Sequence, residues 1–124
     1  MSAHDGGPAR ERRVDKPWGG EVIWAEGPTY VGKILFVRRG EALSLQHHER
    51  KHETIRILSG RLAFEHGPSE RALTRVELGP GEGWRIPPGL RHRMIGLEDT
   101  HVLEVSTTEL DDVVRHDDRY GRVS

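Results

Sequence analysis

The sequence predicts an all-β domain, and three observations support that prediction. Apolar stretches are short, polar residues interrupt them, and turn signals recur about every 8 to 12 residues. The chain also holds 15 glycines and 7 prolines, many of them between those stretches. With 124 residues the chain fits one domain, which is large enough to fold without disulfides or other cross-links.

The predicted elements follow in order along the chain. Residues 1–13 are small, polar and charged, so we expect a disordered leader there and a single domain with a C-terminal tail over residues 14–124. Residues 16–20 predict a rigid turn, and residues 21–24 a short strand at a sheet edge. Further strands are predicted at residues 30–38, 42–48, 54–59, 61–65, 73–78, 84–86, 92–95 and 101–106. The only helical candidate covers residues 110–116.

Charge and composition exclude several classes of protein. The 19 lysines and arginines nearly balance the 20 aspartates and glutamates, so no general attraction to nucleic acid or to a membrane is expected. The absence of cysteine excludes disulfides, thiolate metal sites and cysteine nucleophiles. No apolar run reaches the roughly 20 residues that cross a bilayer, and the first residues lack the apolar core of a signal peptide. We therefore expect a cytoplasmic protein that acts on a small molecule.

Alternation along a strand brings two potential metal ligands together. Side chains of an extended strand project to alternate faces, so Gln46 and His48 share one face, about 7 Å apart, and His47 projects to the other. Glu53 can then enter from the start of the next strand. His92, just after a Pro-Pro-Gly turn, is the fourth candidate.

The donor types of this set define the metal that it would hold. Two imidazoles, a carboxylate and an amide oxygen suit one borderline-hard divalent ion, Zn²⁺ first, with Mn²⁺, Fe²⁺, Co²⁺ or Ni²⁺ as alternatives. The roles of two neighbouring histidines remain open. His52 is a rival ligand because the sequence does not fix the conformation of its loop, whereas strand parity places His47 away from the metal.

These residues belong to a longer pattern that resembles a known family. The spacing Gly40-x5-Gln46-x-His48-x4-Glu53-x6-Gly60 resembles the first cupin motif, with glutamine in the first histidine position, and Gly81-x5-Pro87-x-Gly89-x2-His92 resembles the second. Segments 16–19 and 118–122 match as well, so the resemblance runs over nearly the whole chain. It is closest to the cupin phosphomannose isomerase domain that forms the C-terminal part of bifunctional mannose-1-phosphate guanylyltransferase/mannose-6-phosphate isomerases.

This resemblance implies a double-stranded β-helix, that is, a jelly-roll cupin barrel, and a reaction of the mannose-6-phosphate isomerase type. In such a reaction an aldose and a ketose interconvert through a metal-stabilised enediolate. The substrate would be a sugar or sugar phosphate, and its candidate contacts are Arg93, Arg119, Tyr120 and Arg122. Arg93 follows His92 directly, so strand parity points it to the face opposite the metal. The proton-transfer residue stays unnamed.

The chain departs from the family pattern at two places near the expected pocket. Thr54 and Ile55 stand where that family usually has His-Trp, and Gly96 stands where an asparagine commonly closes the second motif. Two other functions therefore stay open. The chain can be a non-catalytic, metal-bearing protein that binds a sugar or small molecule. It can also be a non-haem iron oxygenase, because His48, Glu53 and His92 supply two histidines and a carboxylate, although a glutamine ligand argues against it.

A homodimer is the expected assembly. Small barrels leave sheet edges that a second copy can cover, and residues 21–24 are the candidate edge strand.

Overall fold

The computed structural model describes residues 6–122, and their regular structure consists of strands without a helix. The eleven strands are β1 (Arg12–Lys16), β2 (Gly19–Glu26), β3 (Val31–Val37), β4 (Leu45–His47), β5 (Glu53–Ser59), β6 (Leu62–Gly67), β7 (Thr74–Leu78), β8 (Gly83–Ile86), β9 (Arg91–Gly96), β10 (Thr100–Ser106) and β11 (Val114–Asp117). The described residues contain no helix long and apolar enough to cross a membrane.

The strands form two antiparallel sheets that face each other. One has six strands in the order β1-β2-β3-β10-β5-β8, and the other has five in the order β11-β4-β9-β6-β7. Several neighbours, such as β3 with β10 and β4 with β9, are distant in the chain, which is the arrangement of a jelly roll. The predicted all-β, double-sheet fold is therefore confirmed.

The core lies between the sheets and follows from the period-2 pattern of the strands. In β5, Ile55 and Ile57 are each 1% exposed, whereas Thr54 and Arg56, which alternate with them, face solvent. Phe64 on β6 is completely buried and contacts the ring of Trp84 on β8, which joins the two sheets. The remaining members of the core cluster are Trp18, Leu35, Val37, Leu43, Leu62, Leu78, Ile86, Met94 and Val102.

The first and last strands differ from what the sequence predicts. The helix expected at residues 110–116 is wrong: these residues form a turn and then β11, which pairs with β4. Residues 12 and 13 belong to β1, although the leader was expected to extend to residue 13; residues 1–5 of that segment lie outside the described part of the chain. Because β1 pairs with β2, residues 21–24 do not lie at a sheet edge, and that expectation is also wrong.

The end of β9 is closely packed. Gly96 donates its N–H to the carbonyl oxygen of Glu41, and its own carbonyl accepts the N–H of Gly40. A Cβ atom built on Gly96 would lie 2.5 Å from the carbonyl oxygen of Arg38, a distance that side chains do not tolerate. Only glycine fits at position 96, because the chain segment before Ala42 passes directly beside it.

Candidate metal centre

The candidate ligands come from three strands that belong to different sheets. Gln46 on β4 and His92 on β9 are directly paired, so their side chains share the inner face of the five-stranded sheet. His48 follows β4 immediately, and Glu53 is the first residue of β5 in the opposite sheet. The site therefore spans the gap between the sheets, and His48, Glu53 and His92 are all buried there.

Three of these side chains converge on one point. Nε2 of His48 lies 2.9 Å from Oε1 of Glu53, and Nε2 of His92 lies 3.2 Å from the same oxygen. One potential ligand atom from each residue falls within 4.8 Å of the others. The side chains of His48, Glu53 and His92 are 4%, 2% and 1% exposed, so water cannot surround this cluster.

Hydrogen bonds to the backbone orient both imidazoles for coordination. Nδ1 of His48 lies 2.6 Å from the carbonyl oxygen of Asp112, and Nδ1 of His92 lies 2.9 Å from that of Leu90. A carbonyl only accepts, so each Nδ1 carries a proton, and each Nε2 is the ring atom that faces Oε1 of Glu53. Nε2 of His92 has no hydrogen-bond partner among residues 6–122, although it is buried.

This arrangement fits a divalent cation. Two imidazole nitrogens and a carboxylate oxygen converge on one point, where a divalent cation would replace the proton shared by His48 and Glu53 and be coordinated by all three atoms. Two imidazoles and one carboxylate are donors that zinc and neighbouring transition metals accept. The His48, Glu53 and His92 group can therefore hold a metal ion.

A buried lysine adds positive charge beside the candidate ligands. Nζ of Lys51 lies 3.4 Å from Oε2 of Glu53 and 3.5 Å from Oε2 of Glu104. Burial disfavours the Lys51 charge, but the two carboxylates outweigh it and raise the pKa of the ammonium group. Burial and the neighbouring Glu53 charge raise the pKa of Glu104 to about 7. Burial likewise opposes the charge of Glu53, but both imidazoles and Lys51 hold its pKa well below the ordinary value.

The remaining ligand candidates have different surroundings. Gln46 lines the same cavity, and the hydroxyl of Ser44 donates to its Oε1 at 3.0 Å. Nδ1 of His47 lies 2.7 Å from Nε2 of His116, and its Nε2 lies 3.0 Å from Oε1 of Glu49. His52 is exposed. The structure therefore brings neither His47 nor His52 into the ligand group.

Asp112 is a contributor that the sequence analysis missed. Its carboxylate accepts hydrogen bonds from the backbone N–H groups of Glu49, Arg50 and Lys51, while its carbonyl holds His48. The bonds from Arg50 and Glu49 lower the pKa of Asp112 to about 2. No sequence signal shows this contact, because the two segments are about 60 residues apart and meet only through the pairing of β11 with β4.

A cavity of about 250 Å³ opens beside the ligands and is lined by residues of both sheets. Of the four predicted substrate contacts, Arg122 lines this cavity, and it also pairs with Asp118. Arg93 forms ion pairs with Glu65 and Asp117, outside the cavity. Each of the last two predicted contacts bonds within the chain: Arg119 donates to the carbonyl of Gly40, and the Tyr120 hydroxyl donates to Glu41.

Comparison with known families and sequences agrees with this geometry. Residues 34–107 match the sequence model of the family described as Cupin domain. The chain is 35% identical over 120 residues to mannose-1-phosphate guanylyltransferase ManC of Salmonella typhimurium, an alignment that covers 90% of this chain and 23% of that protein. It is 32% identical over 116 residues to the xanthan biosynthesis protein XanB of Xanthomonas campestris, covering 90% and 24%. The chain thus spans about a quarter of the length of the curated relatives that it matches.

Solved structures share the fold at low sequence identity. KdgF from a Halomonas species superimposes with a TM-score of 0.70 at 20% identity, over 82% of this chain and 90% of that chain. An oxalate decarboxylase of Lactobacillus farciminis, solved as a formate complex, gives a TM-score of 0.71 at 18% identity, over 85% and 33%. These similarities establish the architecture alone.

Proposed function

This chain belongs to the cupin domain family, and from that premise we propose that it is a metal-dependent isomerase of sugars or sugar phosphates. The type reaction is the interconversion of mannose 6-phosphate and fructose 6-phosphate. The observation that carries the proposal is the convergence of His48, Glu53 and His92 beside a cavity open to a small molecule. The relatives named for mannose-1-phosphate guanylyl transfer and xanthan biosynthesis support a carbohydrate substrate.

The residues of the site would have two roles, binding the metal and orienting its ligands. His48, Glu53 and His92 would hold the metal, with Gln46 as a fourth ligand and Zn²⁺ as the first candidate. When bound, the metal supplies Lewis acidity to adjacent oxygen atoms of the substrate. The backbone carbonyls of Asp112 and Leu90 orient the two imidazoles, and Lys51 holds the carboxylate of Glu53 in place.

Isomerisation also requires a group that accepts a proton from one carbon and returns it to the next. Besides the ligand Glu53, the carboxyl groups that line the cavity belong to Glu21, Glu104 and Asp111. Of these, Glu104 lies nearest the ligand cluster, since it shares Lys51 with Glu53. The cavity therefore contains a group of the required chemistry without drawing on the metal ligands.

A second candidate function is that of a non-haem iron oxygenase. The convergence of two histidines and one carboxylate favours it, because that set leaves coordination positions for oxygen and substrate. Gln46 argues against the oxygenase. It is paired with His92, and as a fourth donor it would occupy a coordination position that oxygen or substrate needs.

The metal content tests the premise of both candidates. Protein purified without chelator should carry about one divalent transition metal per chain, measured by elemental analysis. A His92→Ala variant should lose most of that metal, whereas Arg75→Gln, an exposed position on β7, should keep it. Stoichiometry near zero after reconstitution with zinc, manganese, iron, cobalt and nickel in turn would remove the metal hypothesis.

Proton exchange tests the isomerase reaction itself. The metal-loaded protein, incubated in heavy water with mannose 6-phosphate and a panel of aldose phosphates, should exchange the carbon-2 proton with solvent, observed by proton NMR. Exchange should disappear after chelation and return with added metal. If no sugar phosphate of the panel exchanges its proton while metal is bound, a non-catalytic binding protein is favoured. Oxygen uptake by an iron-loaded sample would favour the oxygenase.

We also propose that a second copy of the chain covers the outer face of the six-stranded sheet. Trp24 on β2, Leu58 on β5 and Val105 on β10 are between 43% and 49% exposed there. Val105 is paired with Gly32, and a Cβ built on Gly32 would meet the Trp24 ring at 3.0 Å, so the side chains of Val105 and Trp24 adjoin one another. An apolar face of this kind is typical of an interface between copies.

A further inference from the structure

A row of side chains crosses the inner face of the five-stranded sheet. Arg115 on β11 pairs with Gln46 on β4, and Gln46 pairs in turn with His92 on β9. Directly paired residues in neighbouring strands project to the same face, so Arg115 lies on the cavity side, and it is among the residues that line the cavity. Neighbouring strands are about 4.8 Å apart, which puts the Arg115 backbone about 10 Å from that of His92.

Four of the six cationic side chains that line the cavity are already neutralised, and the other two, Arg115 and Lys16, have no ion-pair partner among residues 6–122. Lys33 pairs with Glu21, and Lys51 pairs with Glu53 and Glu104. Arg12 pairs with Glu26, and Arg122 pairs with Asp118. Each of these four cations has a carboxylate partner within the chain, so none offers an uncompensated charge to a ligand.

Arg115 differs from those cations. No carboxylate of residues 6–122 lies within ion-pair distance of its guanidinium group, and its Nε is buried without a hydrogen-bond partner. A buried, unpartnered N–H is costly, and the cost is recovered when an acceptor binds. The guanidinium fork matches the oxygen atoms of a phosphate or carboxylate, which makes an anion the natural acceptor.

We propose that Arg115 is the receptor for an oxyanion of the substrate. The ligand is then an anionic polyhydroxy compound whose charged group lies at the end of the molecule remote from the metal-bound oxygens, since about two strand spacings separate Arg115 from His92. A sugar with a terminal phosphate has this layout, and so does a sugar acid. This inference rests on the proposed function only in assuming that the substrate enters this cavity.

Ligand binding without turnover tests the assignment. Metal-free protein is titrated calorimetrically, at constant ionic strength, with mannose 6-phosphate, glucuronate, inorganic phosphate and mannose. Wild-type protein should bind the anionic ligands and bind mannose at least about tenfold more weakly. Whichever of mannose 6-phosphate and glucuronate binds more tightly shows whether the site prefers a phosphate or a carboxylate. Arg115→Gln should weaken anion binding by about tenfold or more, with the affinity for mannose unchanged.

Two variants serve as controls. Arg75→Gln removes the same charge from an exposed position of β7 and should bind anions as wild type does. Arg115→Lys keeps the charge but lacks the planar fork, so it should retain part of the affinity. If Arg115→Gln fails to fold, as judged by circular dichroism, the Arg115→Lys variant decides: a threefold or greater loss supports the proposal, and wild-type affinity contradicts it.

The outcomes separate this inference from the isomerase proposal. If anion binding depends on Arg115 but no proton exchange is seen, the assignment of Arg115 is supported and the isomerase proposal is contradicted. Proton exchange with neutral mannose that Arg115→Gln does not change keeps the isomerase and overturns the receptor. Wild-type protein that binds none of the anions, or an Arg115→Gln variant with unchanged affinity, also overturns it.

Discussion

His47 and His48 are adjacent in the chain but have different surroundings. His48 faces Glu53 at 2.9 Å, while His47 contacts His116 and Glu49. His48→Ala should therefore weaken metal binding by more than about 100-fold, because a direct ligand is lost, whereas His47→Ala should change it only a few-fold. Gln46→Ala should fall between them, since a neutral amide oxygen is the weakest donor of the set.

Competitive titration against a chromophoric chelator measures all three affinities. Circular dichroism of each variant confirms that the β structure is kept. A His47→Ala variant that no longer binds metal, beside a His48→Ala variant that does, would show that the ligand assignment is shifted by one residue. The ligand set would then have to include His47.

Gly96 carries a second prediction at this scale. The family pattern has an asparagine here, yet any Cβ would lie 2.5 Å from the carbonyl oxygen of Arg38. Gly96→Asn should lower the free energy of unfolding by about 1–3 kcal/mol, the usual cost of overpacking. The matched control is Gly79→Asn, because the nearest heavy atom to a Cβ there is 3.6 Å away. Denaturant unfolding of both variants gives the comparison, and equal stabilities would contradict the packing argument.

At the scale of elements, the loop between β4 and β5 is held by Asp112. Its depressed pKa of about 2, against an ordinary 3.8, means that folding favours the ionised carboxylate. The stabilisation is therefore fully present above pH 4 and is lost as the pH falls toward 2. The difference in unfolding free energy between wild type and Asp112→Ala, measured on metal-free protein, should shrink over that window.

A control isolates this effect from the general loss of stability in acid. Asp111→Ala removes the neighbouring carboxylate, which is exposed and lines the cavity. Its stability difference from wild type should change less between pH 4 and pH 2 than that of Asp112→Ala, because the three backbone hydrogen bonds belong to Asp112. An Asp112→Ala difference that changes no more than that of Asp111→Ala would show that the three backbone hydrogen bonds do not depend on the ionised form.

The same elements show what can be predicted from sequence and what cannot. Period-2 patterning located β3 and β5 to within a residue or two, and turn residues marked their ends. Strand parity and a short loop brought His48 and Glu53 together in the prediction, whereas His92 was added because it follows a Pro-Pro-Gly turn and its spacing resembles the second cupin motif. β11 was read as a helix because its four residues, Val114–Asp117, are too short to show alternation. Its strand character comes from pairing with β4, as does the position of Arg115.

For the whole molecule, the proposed homodimer gives the last prediction. Light scattering at micromolar concentration should show twice the chain mass of 14.1 kDa. Val105→Glu should shift the protein to the monomer, because a charge would be buried against the apolar face. Thr74→Glu, on an exposed position of β7 in the other sheet, should leave the dimer intact. A wild-type monomer across that concentration range would rule the dimer out.

The distribution of the cavity wall over the strands has an evolutionary consequence. The metal donors stand on or beside β4, β5 and β9 in the interior of the sheets, whereas β1 and β11, which border the sheets, supply Val14, Lys16 and Arg115 to the wall. Edge strands share only one side with a neighbour, so substitutions there disturb fewer contacts than substitutions at the centre. Ligand preference can therefore diverge through mutations on β1 and β11 while the inherited metal-binding apparatus remains unchanged.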